Sequence, residues 1–250
     1  MSSPPAKLPS ALREIAMTLL KALIALGVFG AIVFGWGYSK AREQKAFTNS
    51  LPLPNEVRQD QCAVWFVGSS TMARWTDLQR DMQPWTTHNR AIGGATLAEL
   101  TTRFLNERNP QPPRAIVFYA GENDLAFGVT VEATAAAFAD FMAYKRKRLG
   151  TTPVFFVSVK PSPTRWALAG KQAAFDAIVQ AMAGRDDDLI YVDVRDRFLV
   201  NGRPGPFYEG DGLHLNDAGY AIFSAALHRS LATDLPKALV RRCRRGSAQG

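Results

Sequence analysis

Ala63-Val64-Trp65-Phe66-Val67-Gly68-Ser69-Ser70-Thr71 is the stretch from which the fold is read. Five apolar residues in a row suit a strand buried on both faces, since a strand with one wet face would alternate. Gly68-Ser69-Ser70 then has turn composition, which ends the run abruptly. The pattern returns at 115–119, 154–159 and 189–193, and a further, more polar strand is expected at 87–92. Between the runs lie longer stretches with helical spacing, at 74–82, 97–106, 131–148, 167–183 and 217–231. Apolar strands separated by helices call for a parallel sheet covered on both faces, an α/β architecture. In such sheets ligands bind beyond the carboxyl ends of the strands, so the residues just after each run are the ones to inspect.

Composition agrees with one core. The chain has 250 residues, 47% hydrophobic and 21% charged, which excludes a disordered chain. Two cysteines exclude a disulfide-dense scaffold, and with three histidines they leave little for a metal site. The net charge of +8 invites a nucleic-acid reading, but its distribution argues against one. Residues 1–50 carry six Lys/Arg and two Glu, and residues 234–250 carry five Lys/Arg and one Asp. Residues 51–233 carry nineteen of each sign and are neutral. A nucleic-acid enzyme would put the excess on its folded surface.

The first fifty residues read as a membrane segment. From Ala22 to Tyr38 there is no charge, and with Ala16 to Lys21 the apolar stretch covers 16–38. At 1.5 Å per residue that is roughly 34 Å, enough to cross the hydrocarbon of a bilayer. Lys21 can snorkel, and Trp36 and Tyr38 suit the opposite interface. Ser39-Lys40-Ala41 loosely resembles a cleavage site, so a removed signal peptide is the rival, but the run exceeds the usual signal core. The expectation is an uncleaved anchor at 16–38, after a short basic tail at 1–15 and before a linker at 39–58. Lys7, Arg13 and Lys21 before the span balance Lys40, Arg42 and Lys45 after it, so the flanking charge is a tie. The short basic leader favours an exported domain, on the periplasmic side of a bacterial inner membrane.

After the first strand comes Ser69-Ser70, after the second Gly93-Gly94, and after the third Gly121-Glu122-Asn123-Asp124. Before the last helix stands Asp211-Gly212-Leu213-His214. Singly these are ordinary turns and caps; jointly they supply a chemistry. A serine hydroxyl needs a base to take its proton, and His214 can be that base. Asp211, three residues earlier, can hold the imidazole tautomer. An oxyanion needs aimed donors, and the N–H groups of Ser70 and Gly94 and the amide of Asn123 can supply three. The elbow Gly-x-Ser-x-Gly is not met, because Met72 stands where its last glycine belongs. No phosphate loop or zinc-type cysteine cluster occurs.

These four blocks, in this order across about Gln61 to Leu231, resemble the SGNH (GDSL-type) hydrolases, and their bacterial lipase/acylhydrolase branch most. Phe66-Val67-Gly68-Ser69-Ser70-Thr71 is similar to the nucleophile block, with Ser69 in place of the usual aspartate. Asn89-Arg90-Ala91-Ile92-Gly93-Gly94, Gly121-Glu122-Asn123-Asp124 and Asp211-Gly212-Leu213-His214 are similar to the other three. The resemblance implies a flavodoxin-like three-layer α/β/α sandwich with about five strands, over a domain at 59–236. It implies ester hydrolysis by Ser70, His214 and Asp211, with Ser70, Gly94 and Asn123 holding the oxyanion and no metal or cofactor.

The remaining expectations concern surroundings. Trp75, Leu125, Phe127, Arg165 and Trp166 are candidates for the substrate pocket, against plain packing as the alternative. Ser69 reads as a turn residue, His88 and His228 as structural, Asp217 as a helix N-terminal charge or cap, and Glu122 has no assigned role. Cys62 begins the first strand and the last helix should return to that end, so Cys243 can come near it; a disulfide and two free thiols are both open. The tail at 237–250 contains Arg241-Arg242-Cys243-Arg244-Arg245, which suits anionic headgroups. The expected activity is a membrane-anchored serine esterase acting on lipid or lysophospholipid-like esters. A carbohydrate O-acetyl esterase and an inactive binding module are the alternatives.

Overall fold

A computed structural model describes residues 9–55, 60–108 and 110–246, in two compact units that divide after Ser50. The first unit is one helix, α1 (Ser10–Ser50). Its portion Met17–Ser50 is long and apolar enough to cross a membrane, and its large apolar side chains, such as Leu26 and Phe34, are exposed. A helix apolar all round cannot be satisfied by water and suits lipid or a protein interior. The expected tail at 1–15 lies outside the described residues up to residue 8, and helix has already begun at Ser10. Helix also continues through the expected linker as far as Ser50, since Lys40, Arg42, Glu43, Gln44 and Lys45 are good helix formers. Lys40 and Glu43 pair at 3.1 Å along it. Pro52 and Pro54 end the run; the linker's residues 56–58 lie outside the described residues.

The second unit is the expected three-layer sandwich. Its elements in chain order are β1 (Ala63–Gly68), α2 (Ser70–Ala73), α3 (Leu78–Asp81), β2 (Thr86–Asn89) and α4 (Leu97–Leu105). Then come β3 (Ala115–Tyr119), α5 (Glu122–Ala126), α6 (Val131–Leu149), β4 (Val154–Val157), α7 (Ala169–Ala183) and β5 (Leu189–Val192). A small antiparallel pair, β6 (Leu199–Val200) and β7 (Arg203–Pro204), precedes α8 (Asp217–Asp234) and α9 (Lys237–Gly246). The five strands β1 to β5 are all parallel, in the order β2-β1-β3-β4-β5.

Side chains alternate across the sheet into two cores. Val64, Phe66, Val117, Tyr119 and Phe155 pack with Phe223 and Leu227 of α8 on one face. Trp65, Ile116, Phe118 and Phe156 pack with Phe104, Phe138, Phe141 and Phe175 on the other. Because both faces of β1, β3 and β4 are buried, these strands carry no polar alternation and read as continuous apolar runs, whereas the edge strand β2 is polar and half-buried.

Three boundaries differ from the sequence reading. The helix expected over 74–82 shrinks to α3, and a separate short helix, α2, precedes it, with Trp75 between them buried in the core. Strands expected to reach 92 and 159 stop at Asn89 and Val157. The residues beyond still bond to neighbouring strands (Ile92 N–H to Gly68 at 2.9 Å, Ser158 N–H to Val192 at 3.0 Å), but as loop backbone. The expected boundary at 236/237 is also a packed one. Residues 237–246 form α9 with Val240 and Cys243 buried, and Cys243 is disulfide-bonded to Cys62 just before β1.

Candidate active site

The order β2-β1-β3 makes β1 and β3 neighbours whose following segments diverge, which opens a crevice at their carboxyl ends. Ser70 leaves β1 into that crevice, and Asn123 leaves β3 beside it. The turn after β1 is tight. A side chain at Gly68 would put its Cβ 2.2 Å from the Tyr119 carbonyl oxygen, so only glycine lets the two strands stay in register here. Ser69 is buried, and its N–H donates to that same carbonyl at 3.1 Å. This is the turn role expected of it. Ser70 opens α2, partly exposed.

His214 and Asp211 arrive from the loop before α8. His214 Nε2 lies 3.0 Å from Ser70 Oγ, and His214 Nδ1 lies 2.6 Å from Asp211 Oδ2. Asp211 Oδ1 accepts the N–H groups of Leu213 and His214, both at 2.9 Å. The His214 side chain and these two N–H groups hold the Asp211 carboxyl well below the usual carboxylate range, although it is exposed. Thr164 ties the loop to the segment after β4: its Oγ1 donates to the Asp211 carbonyl at 2.6 Å, and its N–H to the Gly212 carbonyl at 3.1 Å. Arg74 Nη1 stands 3.8 Å from Asp211 Oδ2.

The candidate oxyanion donors come from the segments after β1, β2 and β3. Gly94 has φ of +75°, a left-handed conformation natural to glycine, and it is exposed. The N–H groups of Ser70 and Gly94 donate to no described residue. Asn123 is buried, and one hydrogen of its amide is spent on the Ala95 carbonyl at 3.0 Å, which orients the group and leaves the other free.

Two positioning elements were not legible in the sequence. Asp124 accepts the N–H of Leu97 at 3.1 Å, binding the start of α4, and with it the loop that carries Gly94, to the segment that carries Asn123. Burial pushes its carboxyl up, and the Leu97 N–H draws it back. Glu122, unassigned from the sequence, accepts from Tyr119 Oη at 2.7 Å and pairs with the fully buried Lys160 at 3.1 Å. A carboxylate and a lysine near the ends of β3 and β4 were both visible, but nothing local pairs residues 38 positions apart.

The pocket candidates divide. Trp75 is buried, stacks on Tyr220 at 5.1 Å, and donates from Nε1 to Asp81 at 2.8 Å; Leu125 is buried in the opposite core. Phe127 is 68% exposed. Arg165 turns its guanidinium toward Glu122 at 3.5 Å, and Trp166 lies under Arg203. His228 bonds to the Asp81 carbonyl at 2.8 Å and His88 is half-buried in β2, as expected of structural histidines. Asn216 caps α8, with Asp217 in the first turn. Among the described residues no cluster of three His, Cys, Asp or Glu could hold a metal.

The sequence profile of the GDSL-like lipase/acylhydrolase family matches residues 61–222. The chain belongs to this family. Solved structures resemble this chain across nearly their whole length. A Streptococcus pneumonia protein, provisionally named a platelet activating factor, superimposes with a TM-score of 0.65 at 20% identity, covering 83% of this chain and 99% of its own. A GDSL-like lipase from Bacteroides thetaiotaomicron gives 0.57 at 21% identity, covering 79% and 98%. A Clostridium thermocellum family 3 carbohydrate esterase gives 0.57 at 15% identity, covering 69% and 96%. These likenesses carry the fold. No curated protein matches the GDSL-like chain.

Proposed function

We propose that this GDSL-like hydrolase is a serine ester hydrolase in which Ser70 is the nucleophile, His214 the general base and Asp211 the residue that orients it. The observation that carries the reading is the continuous chain Ser70 Oγ–His214 Nε2–Asp211, at 3.0 and 2.6 Å, between residues 144 positions apart. Ser70 Oγ attacks the ester carbonyl carbon while its proton passes to His214 Nε2. The oxyanion is met by the Ser70 and Gly94 N–H groups and the free amide hydrogen of Asn123. The carbon–oxygen bond to the alcohol then breaks, and His214 returns the proton to the departing oxygen. Water repeats the sequence on the acyl-enzyme, so one ester and one water give an acid and an alcohol.

We read α1 as a single-pass anchor and the second unit as an exported domain. The Cys62–Cys243 disulfide supports export, since such bonds persist in oxidising compartments. Long acyl chains, favoured on the sequence, lose one of their candidate walls, because Leu125 is buried in the core. The carbohydrate O-acetyl esterase reading gains by the same fact. One structural neighbour is a carbohydrate esterase, while another is a GDSL-like lipase. Ser70→Ala is expected to abolish both p-nitrophenyl acetate hydrolysis and fluorophosphonate labelling. An active, labelled Ser70→Ala protein would sink the assignment.

A further inference from the structure

Beside the triad, a groove of about 900 Å³ runs between the α2–α3 segment and α8, and it ends on His214. We propose that this groove seats the alcohol half of the ester, and that this alcohol is a neutral oligosaccharide. The proposal rests on the serine-hydrolase reading above, because the group that hands a proton to the leaving alcohol must adjoin the place where that alcohol lies.

Three observations select the ligand class. The groove follows one face of α8 from Asp217 to His228, three turns or roughly 16 Å, long enough for several linked rings rather than a single small alcohol. Its wall is stiff: the Asp81 carbonyl takes bonds from Ser224 Oγ and His228 Nε2, and the Asp81 carboxylate takes Trp75 Nε1. A stiff wall costs little ordering entropy when a ligand arrives.

The lining also offers unspent polar groups. Thr76, Glu209 and Asp217 make no side-chain hydrogen bond or ion pair to another described residue. Such groups would be stranded under an acyl chain, at the cost of desolvation without compensation. Sugar hydroxyls donate to the carboxylates and accept from Arg74 and Thr76. Four carboxylates against two guanidiniums leave the groove negative, which disfavours a phosphate-bearing lipid headgroup or an acidic glycan.

The test compares kcat/KM of the full chain in detergent on p-nitrophenyl acetate, O-acetylated cello-oligosaccharide and a long-chain lysophospholipid. Ala221→Trp should obstruct the groove from an exposed helical position. It is expected to lower kcat/KM on the oligosaccharide at least tenfold more than on p-nitrophenyl acetate. Glu209→Gln, which removes one acceptor without adding bulk, should raise KM for the oligosaccharide several-fold more than for p-nitrophenyl acetate. Equal changes on both substrates in both variants, or a wild type that prefers the lysophospholipid, would overturn the proposal. Loss of all esterase activity in the wild type, with no fluorophosphonate label, would instead overturn the Ser70 reading beneath it.

Discussion

At the scale of single residues, the candidate site was legible where a polar residue closely follows a strand, as with Ser70 and Asn123, or stands just before the last long helix, as with His214. Residues that act by holding others were not. Asp176 is an instance: it is buried in α7, with one oxygen accepting the Val159 N–H at 3.0 Å and the other 3.8 Å from Arg195. Burial pushes its carboxyl up to about 7, against the Val159 N–H and Arg195, with Asp193 adding a small rise. An unfolded aspartate titrates near 3.9. Between roughly pH 4 and 7 the folded chain therefore keeps a proton that the unfolded chain has lost, and stability falls as pH rises through that window. Asp176→Asn removes the titration while keeping the acceptor for Val159. Relative to wild type it should gain about 2–4 kcal/mol between pH 4 and pH 8, read from urea unfolding at both. A pH-independent difference would show that Asp176 does not carry this proton.

At the scale of elements, long apolar or amphipathic segments were readable and their partners were not. Helix α8 was expected to return to the start of β1, and it does, but only the packing decided that α9 continues the fold beyond it. Val240 and Cys243 face the core while Arg241, Arg242, Arg244 and Arg245 are exposed. The Cys62–Cys243 bond closes a loop across 181 positions and so restricts the unfolded chain strongly. Reduction, or Cys62→Ser with Cys243→Ser, should cost about 2–5 kcal/mol in denaturant unfolding. Amide exchange in α9 should rise before that of the sheet. If alkylation mass and unfolding midpoint are the same with and without reductant, the bond is absent in the protein. The shortening of the expected 74–82 helix to α3 has the same origin: Trp75, ahead of α3, satisfies its indole N–H and stacks on Tyr220.

At the scale of the whole molecule, the carboxyl-terminal half of the charge excess and the proposed chemistry lie at opposite ends of the second unit. The proposed triad sits beyond the carboxyl ends of the strands, whereas α9 is bonded to the residue that precedes β1. The exposed arginines of α9 form one rigid basic face, which suits an anionic bilayer surface. With the full chain in nanodiscs, amides of residues 237–246 should exchange more slowly with phosphatidylglycerol than with phosphatidylcholine, and high salt should erase the difference. Equal protection in both would rule out that contact. By itself the sequence determined the parallel α/β class, the apolar helix and the polar residues at strand ends, because each follows from local periodicity and composition. Only the tertiary structure decided the strand order, the meeting of Ser70 with His214, the cysteine pairing, and which aromatic residues line a groove and which fill the core. Those depend on contacts between segments well separated in the chain, and local propensity carries no information about such contacts.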